Sequence, residues 1–123
     1  MNFNFGIFSA LVTKAYINLG DCKYSLGEVL SVFEYYFQEY ENAFNETHPG
    51  IRAEQIERII RKMPVIYSAE QRDQGIVVGA DCYPPMIDGH FRTRYRDCDY
   101  NINHFFSGDI RLMRYCEEIY RDV

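Results

Sequence analysis

The stretch that decides the fold runs from Ser25 to Glu46 and reads SLGEVLSVFEYYFQEYENAFNE. Placed on a helix of 3.6 residues per turn, its apolar side chains fall in one arc that is roughly 160° wide, wider than the stripe of an ordinary surface helix. The arc contains Leu26, Val29, Leu30, Val32, Phe33, Tyr36, Phe37, Tyr40, Ala43 and Phe44. The pattern predicts a long helix that forms the hub of the domain, with the other elements packed against it.

The start of this helix is marked by a capping pattern. The Ser25 hydroxyl can accept a hydrogen bond from the backbone N–H of Glu28, and the Glu28 carboxylate can accept one from the N–H of Ser25. This reciprocal pair satisfies two backbone donors that the first turn leaves without a partner. The sequence therefore predicts that the helix begins at Ser25.

The outward face of the same helix is acidic and contains neither lysine nor arginine. The plain interpretation is a solvated face, and the functional one is a docking face for a basic protein partner. Tyr35 lies on this polar face as an exposed side chain, and tyrosine is enriched at the centres of interfaces. The candidate partner-binding residues are Glu34, Tyr35, Glu39 and Glu41.

Composition is that of one folded domain spanning residues 1–123. Hydrophobic residues make up 47% and charged residues 25% of the chain, which is ordinary globular usage and argues against a disordered native state. The chain has eleven tyrosines, nine phenylalanines and no tryptophan. We expect several tyrosines to be half-buried, with their hydroxyls at the rim of the core.

The charge is unevenly distributed. The chain carries a net charge of −5, and residues 1–50 hold two lysines against six acidic residues, a net charge of −4. Residues 51–123 hold eleven basic against twelve acidic residues. The overall acidity argues against non-specific binding to nucleic acid by the chain as a whole.

The cysteines and the hydropathy pattern indicate a cytoplasmic protein. Cys22, Cys82, Cys98 and Cys116 lie far apart with no C-x-x-C pair, which is typical of reduced, buried thiols. The first residues lack the basic start of a secretory leader. No run of 18 apolar residues occurs, so we expect no membrane span.

The rest of the chain predicts a mainly α fold, α+β at most: a compact bundle of about five helices with one small β-hairpin around residues 65–78. Further helices are expected at 7–18, at 51–63, from Pro84 or Pro85, and from a cap at Ser107, with one helical turn at 101–106. Gly20 is well placed to end the first helix. The hairpin would pair Val65–Tyr67 with Ile76–Val78.

Two catalytic or metal-binding interpretations are weak. Cys82, His90, Cys98 and His104 are zinc-type ligands, but their spacing, C-x7-H-x7-C-x5-H, brings no two ligands close in sequence. Arg92, Arg94, Arg96 and His104 could hold a phosphate, but no second acid or base is placed to assist. We predict no catalytic, cofactor-binding or metal-binding residues and expect Arg92 to pair with Asp88.

The leading hypothesis is a non-enzymatic regulatory or protein-interaction module that uses the acidic, tyrosine-rich helix. The alternative is a winged-helix-like nucleic-acid-binding regulator, with the 51–63 helix as the reading helix and the 65–78 hairpin as the wing. Its candidate contacts are Arg58, Arg61, Lys62, Arg72, Arg92 and Arg96. Against it, Glu54 and Glu57 stand four residues before Arg58 and Arg61, the spacing of intrahelical ion pairs. A third hypothesis is an acidic inhibitor that imitates a nucleic-acid backbone. The sequence is also compatible with a homo-oligomer.

Overall fold

The computed structural model describes residues 5–66 and 73–119. Six helices lie in these ranges: α1 (Phe5–Leu19), α2 (Leu26–Phe44), α3 (Ala53–Lys62), α4 (Tyr83–Arg92), α5 (Ile102–Phe105) and α6 (Ile110–Ile119). A 3-10 turn, Ala80–Cys82, leads into α4, and prolines occupy the first turn of α4 as expected. The mainly α class and the bundle are confirmed.

The predicted start of α2 is confirmed in detail. The Glu28 N–H donates to Ser25 Oγ at 3.1 Å, and Glu28 Oε1 accepts from the Ser25 N–H at 2.8 Å. The helix ends where Asn45 turns left-handed, with φ of 55°, and its N–H donates to the Glu41 carbonyl. Gly20 closes α1 in the same left-handed region, with φ of 75°. Both ends of α2 are therefore fixed by residues within four positions of them.

The long helix α2 lies in the middle of the bundle. It packs against α1 on one side and α4 on the other, while α3 packs on α1 and α6 on α4. The ring of Phe8 on α1 lies 5.3 Å from the Phe33 ring, and Tyr36 lies 5.0 Å from Phe91 on α4. Because both flanks of α2 are covered, its apolar arc is mostly buried, and only the end near Phe44 is exposed.

The predicted hairpin is not seen. In the described ranges, the two segments share one antiparallel bridge, Val65 with Val78, in place of two strands. The Val78 N–H donates to the Val65 carbonyl, but the Val65 N–H donates to the Tyr24 hydroxyl, which itself donates to the Val78 carbonyl. The side chain of Tyr24 thus takes the place of the second main-chain rung. Tyr67, in the expected first strand, lies outside the described residues.

Two smaller expectations are also corrected. The Ser107 hydroxyl donates to the His104 carbonyl at 2.7 Å instead of capping the last helix, which begins three residues later at Ile110. The expected pair of Glu54 with Arg58 is replaced by a contact of 3.3 Å between Glu54 and Arg52. Glu54 thus pairs with a residue two positions away in place of one four positions away.

None of the helices in the described ranges is long and apolar enough to cross a membrane.

Candidate functional site

The acidic surface of α2 is organised by α4, which runs beside it in the same direction. Side chains from the first turns of α2 and from the start of α4 line a groove, and the Tyr35 hydroxyl donates to the Asp88 carboxylate further along. Tyr35 donates to Asp88 Oδ1 at 2.6 Å, and both residues are half-buried. The expectation of an exposed Tyr35 is therefore wrong, because α4 covers that flank of the helix.

Glu39 lies one turn beyond Tyr35 at the same seam between α2 and α4. Its side chain is half-buried, and burial raises the pKa of its carboxyl, with the nearby Asp88 carboxylate adding to the effect. The Glu39 carboxyl forms no salt bridge with any residue that the structure describes. Tyr35, Glu39 and Asp88 form a compact group, the acidic seam, with two carboxylates and one hydroxyl donor.

The other two predicted acids do not belong to this seam. Glu34 is exposed and Glu41 is half-buried. Since successive residues of a helix are rotated by about 100°, both lie about 140° or more from Glu39 around the axis of α2. The structure therefore divides the predicted set into two flanks of the helix. It also adds Asp88, which sequence reasoning missed because the residue lies 53 positions from Tyr35 and was expected to pair with Arg92.

Beyond the seam, towards the C-terminal ends of both helices, α2 and α4 enclose a shallow cleft. It is lined by Glu39, Asn42, Ala43, Asp88, Phe91 and Arg92. Arg92, a candidate for nucleic-acid contact, thus borders the acidic seam. A basic side chain beside two carboxylates is poorly suited to bind phosphate, because the carboxylates repel the negatively charged phosphate.

On the other side of the seam, towards the N-terminal ends of the helices, lies a larger opening of about 610 Å³, here called the N-terminal groove. Its floor includes the buried side chains of Val32, Ala80 and Tyr83. Its other lining residues are Ser25, Gly27, Glu28, Ser31, Tyr35, Asp81 and Pro84. The volume is in the range of small-ligand and side-chain pockets, and the sequence alone did not point to it.

The basic residues of the nucleic-acid hypothesis lie in separate places. Arg58 and Arg61 are exposed on α3 and Lys62 is half-buried, and Arg61 lines a cleft with the end of α1. Arg92 borders the α2–α4 cleft, and Arg96 is exposed in the loop after α4. Arg72, the expected wing tip, lies outside the described residues. The wing itself lacks its two strands in the described ranges, as the single bridge between Val65 and Val78 shows.

The zinc-type residues do not come together as a metal site. His90 is buried, and its Nδ1 accepts a hydrogen bond from Arg114 Nε at 3.1 Å. Burial raises the pKa of the Cys82 thiol to about 11, which opposes the thiolate that a metal needs. Within the described ranges, no three histidine, cysteine or acidic residues converge in an arrangement that could hold a metal ion.

No protein-family model, curated protein or solved structure matches the chain. The assignment of the chain to the mainly α bundles therefore rests on its own helices and their packing. Functional inference rests in the same way on the acidic seam and the groove beside it.

Proposed function

We propose that this protein is a non-enzymatic interaction module that binds a basic segment of a partner protein at the acidic seam between α2 and α4. The observation that carries the proposal is the half-buried Glu39 carboxyl beside Asp88, with no salt bridge in the described part of the chain. Two neighbouring carboxylates in a partly desolvated site repel each other, and a lysine or arginine at the seam would relieve that repulsion.

Charge on the molecular scale supports the same proposal. The whole chain carries −5, and α2 has no basic residue along its 19 positions. An acidic surface of this kind speeds encounter with a basic partner and repels nucleic acid. The complex should accordingly weaken as salt is added, because partly exposed charge pairs are screened.

The four cysteines support a reducing, cytoplasmic setting for the module. All four lie in the described part of the chain and are half-buried free thiols. Free thiols persist in the cytoplasm, where disulfides are rare.

The test compares partner capture by the wild-type protein and by a double variant, Glu39→Gln with Asp88→Asn. Both changes remove charge and preserve shape, and the amide oxygen introduced by Asp88→Asn keeps an acceptor for the Tyr35 hydroxyl. We expect the Kd of the variant for its partner to rise about tenfold, since about 1.4 kcal/mol of lost interaction has that effect. Cross-linking from native extract at a protein concentration below saturation would show the weaker binding as a smaller amount of captured partner.

The matched control removes two charges elsewhere, at Glu54 on α3 and at Asp109, which are both exposed. The control variant Glu54→Gln with Asp109→Asn should retain the partner and the salt sensitivity of the wild type. If both variants lost partner binding equally, the loss would be due to the change in net charge and not to the seam. Undiminished capture of the partner by the seam variant would refute the proposal. Turnover of a substrate by the pure protein would also refute it.

A further inference from the structure

The N-terminal groove has an apolar floor and an open mouth. Val32, Ala80 and Tyr83 are each at most 9% exposed and form its base, while Ser25, Gly27 and Ser31 are exposed along the α2 wall. An apolar base under a polar rim is the usual form of a pocket that receives a side chain of a binding partner.

Gly27 is the clearest sign that the groove is kept open. It lies in the first turn of α2, where glycine is a poorer helix former than alanine. A Cβ atom at this position would meet only Ser25 Oγ, at 4.0 Å, and the backbone is not in the left-handed region. Neither packing nor backbone strain requires glycine here, so its structural effect is the space that it leaves at the mouth of the groove.

The charged groups of the groove are of one sign. Glu28 lies on the α2 wall and Asp81 on the opposite wall, and none of the described lining residues is basic. The Glu28 Oε1 atom accepts from the Ser25 N–H, which leaves the second carboxylate oxygen for another donor. An arginine side chain suits this arrangement because its stem is apolar and its five N–H donors can reach two carboxylates at once.

The groove is also continuous with the acidic seam. Tyr35 lines the groove with its side chain and donates its hydroxyl to Asp88 at the seam. A peptide segment lying along α2 and α4 would therefore pass from one site to the other.

From these observations, we propose that the N-terminal groove seats an arginine side chain carried on an apolar segment of the partner protein. The inference rests on the proposed function and adds to it the place and the chemistry of an anchoring residue. The apolar stem of the arginine would lie on Val32, its apolar neighbours would cover Pro84, and its guanidinium would lie between Glu28 and Asp81.

The first experiment is an NMR titration of the full chain with two short peptides. The probe is acetyl-Leu-Arg-Leu-amide, and its neutral counterpart carries citrulline, which has the shape of arginine without the charge. We expect the arginine peptide to shift the amide signals of Gly27, Ser31 and Asp81 in a saturable manner, and to bind at least about fivefold more tightly than the citrulline peptide. Equal binding of the two peptides, or shifts confined to other surfaces, would overturn the inference.

The second experiment blocks the groove. Gly27→Leu adds a side chain at its mouth and also improves helix propensity, so a loss of binding cannot be assigned to a weakened helix. The matched control is Gly50→Leu, which adds the same side chain at a glycine outside the groove with open space around it. We expect the Gly27 variant to lose the peptide-induced shifts and the Gly50 variant to keep them.

A second pair of variants covers the case in which Gly27→Leu does not fold. Ser31→Leu fills the groove from an exposed position of α2, and Gln38→Leu adds the same side chain at an exposed position of α2 that does not line it. Peptide binding that survives Ser31→Leu unchanged would contradict the inference.

Failure of this inference is separable from failure of the proposed function. If the arginine peptide leaves the groove signals unchanged while the seam variant still loses its partner, the groove inference falls and the proposed function stands. If the peptide binds in the groove but the seam variant captures its partner normally, the proposed binding site at the seam is refuted. The groove is then the binding site that the experiments support.

Discussion

Tyrosine hydroxyls bind main-chain carbonyls of other segments of this protein. In the described part of the chain, five of them donate to main-chain carbonyls: Tyr16 to Tyr24, Tyr24 to Val78, Tyr36 to Tyr100, Tyr83 to Met63 and Tyr100 to Thr93. Four of the five donors are buried. Tyr16, Tyr35, Tyr95 and Tyr115 are half-buried, in line with the expectation that several tyrosines would be. Composition indicated that tyrosine matters, but only packing could show which carbonyls the hydroxyls reach.

Replacing Tyr36 with phenylalanine tests the strength of such a bond. The Tyr36 hydroxyl donates to the Tyr100 carbonyl at 2.7 Å in the centre of the core. Tyr36→Phe leaves that carbonyl without its donor, so we expect the free energy of unfolding to fall by about 1–3 kcal/mol. The measurement is urea denaturation followed by circular dichroism.

Tyr40→Phe is the control for Tyr36→Phe. Tyr40 lies on the same helix and packs against the His48 ring, and no described residue forms a hydrogen bond with its hydroxyl. We expect a change within about 0.5 kcal/mol. Similar losses in both variants would show that the bond to Tyr100 is not what stabilises the core.

A histidine performs a related task between the helices. The His48 Nε2 accepts from the Ile102 N–H at 2.9 Å, and its Nδ1 lies 2.7 Å from the Pro49 carbonyl, to which it donates. The ring is thereby held in the neutral form, and burial lowers its pKa. His48 thus joins the segment after α2 to the start of α5, a role that its position before a proline does not reveal.

At the scale of elements, α2 shows how far local sequence information extends. The cap at Ser25, the left-handed end at Asn45 and most of the buried arc follow from residues within one or two turns of each other. Phe44 belongs to the predicted arc but is 41% exposed, because the Phe91 and Tyr100 rings cover only one side of its ring. Tyr35 shows the reverse, since α4 draws a residue of the polar face into contact.

Ser25→Ala measures the contribution of the capping box to α2. The change removes the acceptor for the Glu28 N–H, and we expect the free energy of unfolding to fall by about 1 kcal/mol. Ser31→Ala, at an exposed position inside the same helix, should have no destabilising effect, since alanine is the better helix former. Thermal denaturation of both variants provides the comparison, and a Ser25→Ala protein as stable as the wild type would contradict the prediction.

At the scale of the whole molecule, stability depends on a buried histidine that stays neutral. His90 lies among Tyr36, Tyr95, Tyr100 and Phe105. Burial, together with the Arg114 guanidinium and His104, lowers its pKa to about 3. The unfolded chain has an ordinary histidine pKa of about 6.5, so between these two values the unfolded state binds the extra proton.

The resulting prediction concerns acid stability. Because the unfolded state is the one that gains the proton, the free energy of unfolding must decrease as pH falls through 6.5 towards 3. Between pH 7.5 and pH 5, His90 alone should contribute a loss of about 2 kcal/mol, which is about 1.5 pH units at 1.36 kcal/mol each. Chemical denaturation at the two pH values measures it.

Two variants isolate the contribution of His90 to this loss. His90→Asn keeps an acceptor for Arg114 Nε and removes the titration, so its stability should change less between the two pH values. His104→Asn, at a half-buried position, should retain most of the decrease, because burial and the Arg114 guanidinium still lower the pKa of His90. Equal pH dependence in the wild type and the His90 variant would show that another group is responsible.

The sequence by itself determined the helices, the cap at Ser25 and the hub role of α2, because amphipathic periodicity and capping depend on residues close together in the chain. Only the tertiary structure decided that Tyr35, Glu39 and Asp88 meet at one seam. It also decided that Tyr24 replaces a rung of the expected hairpin and that a groove opens beside Gly27. Each of these features depends on contacts between residues that lie about fifty positions apart in the chain. No local sequence pattern predicts which of these distant residues meet.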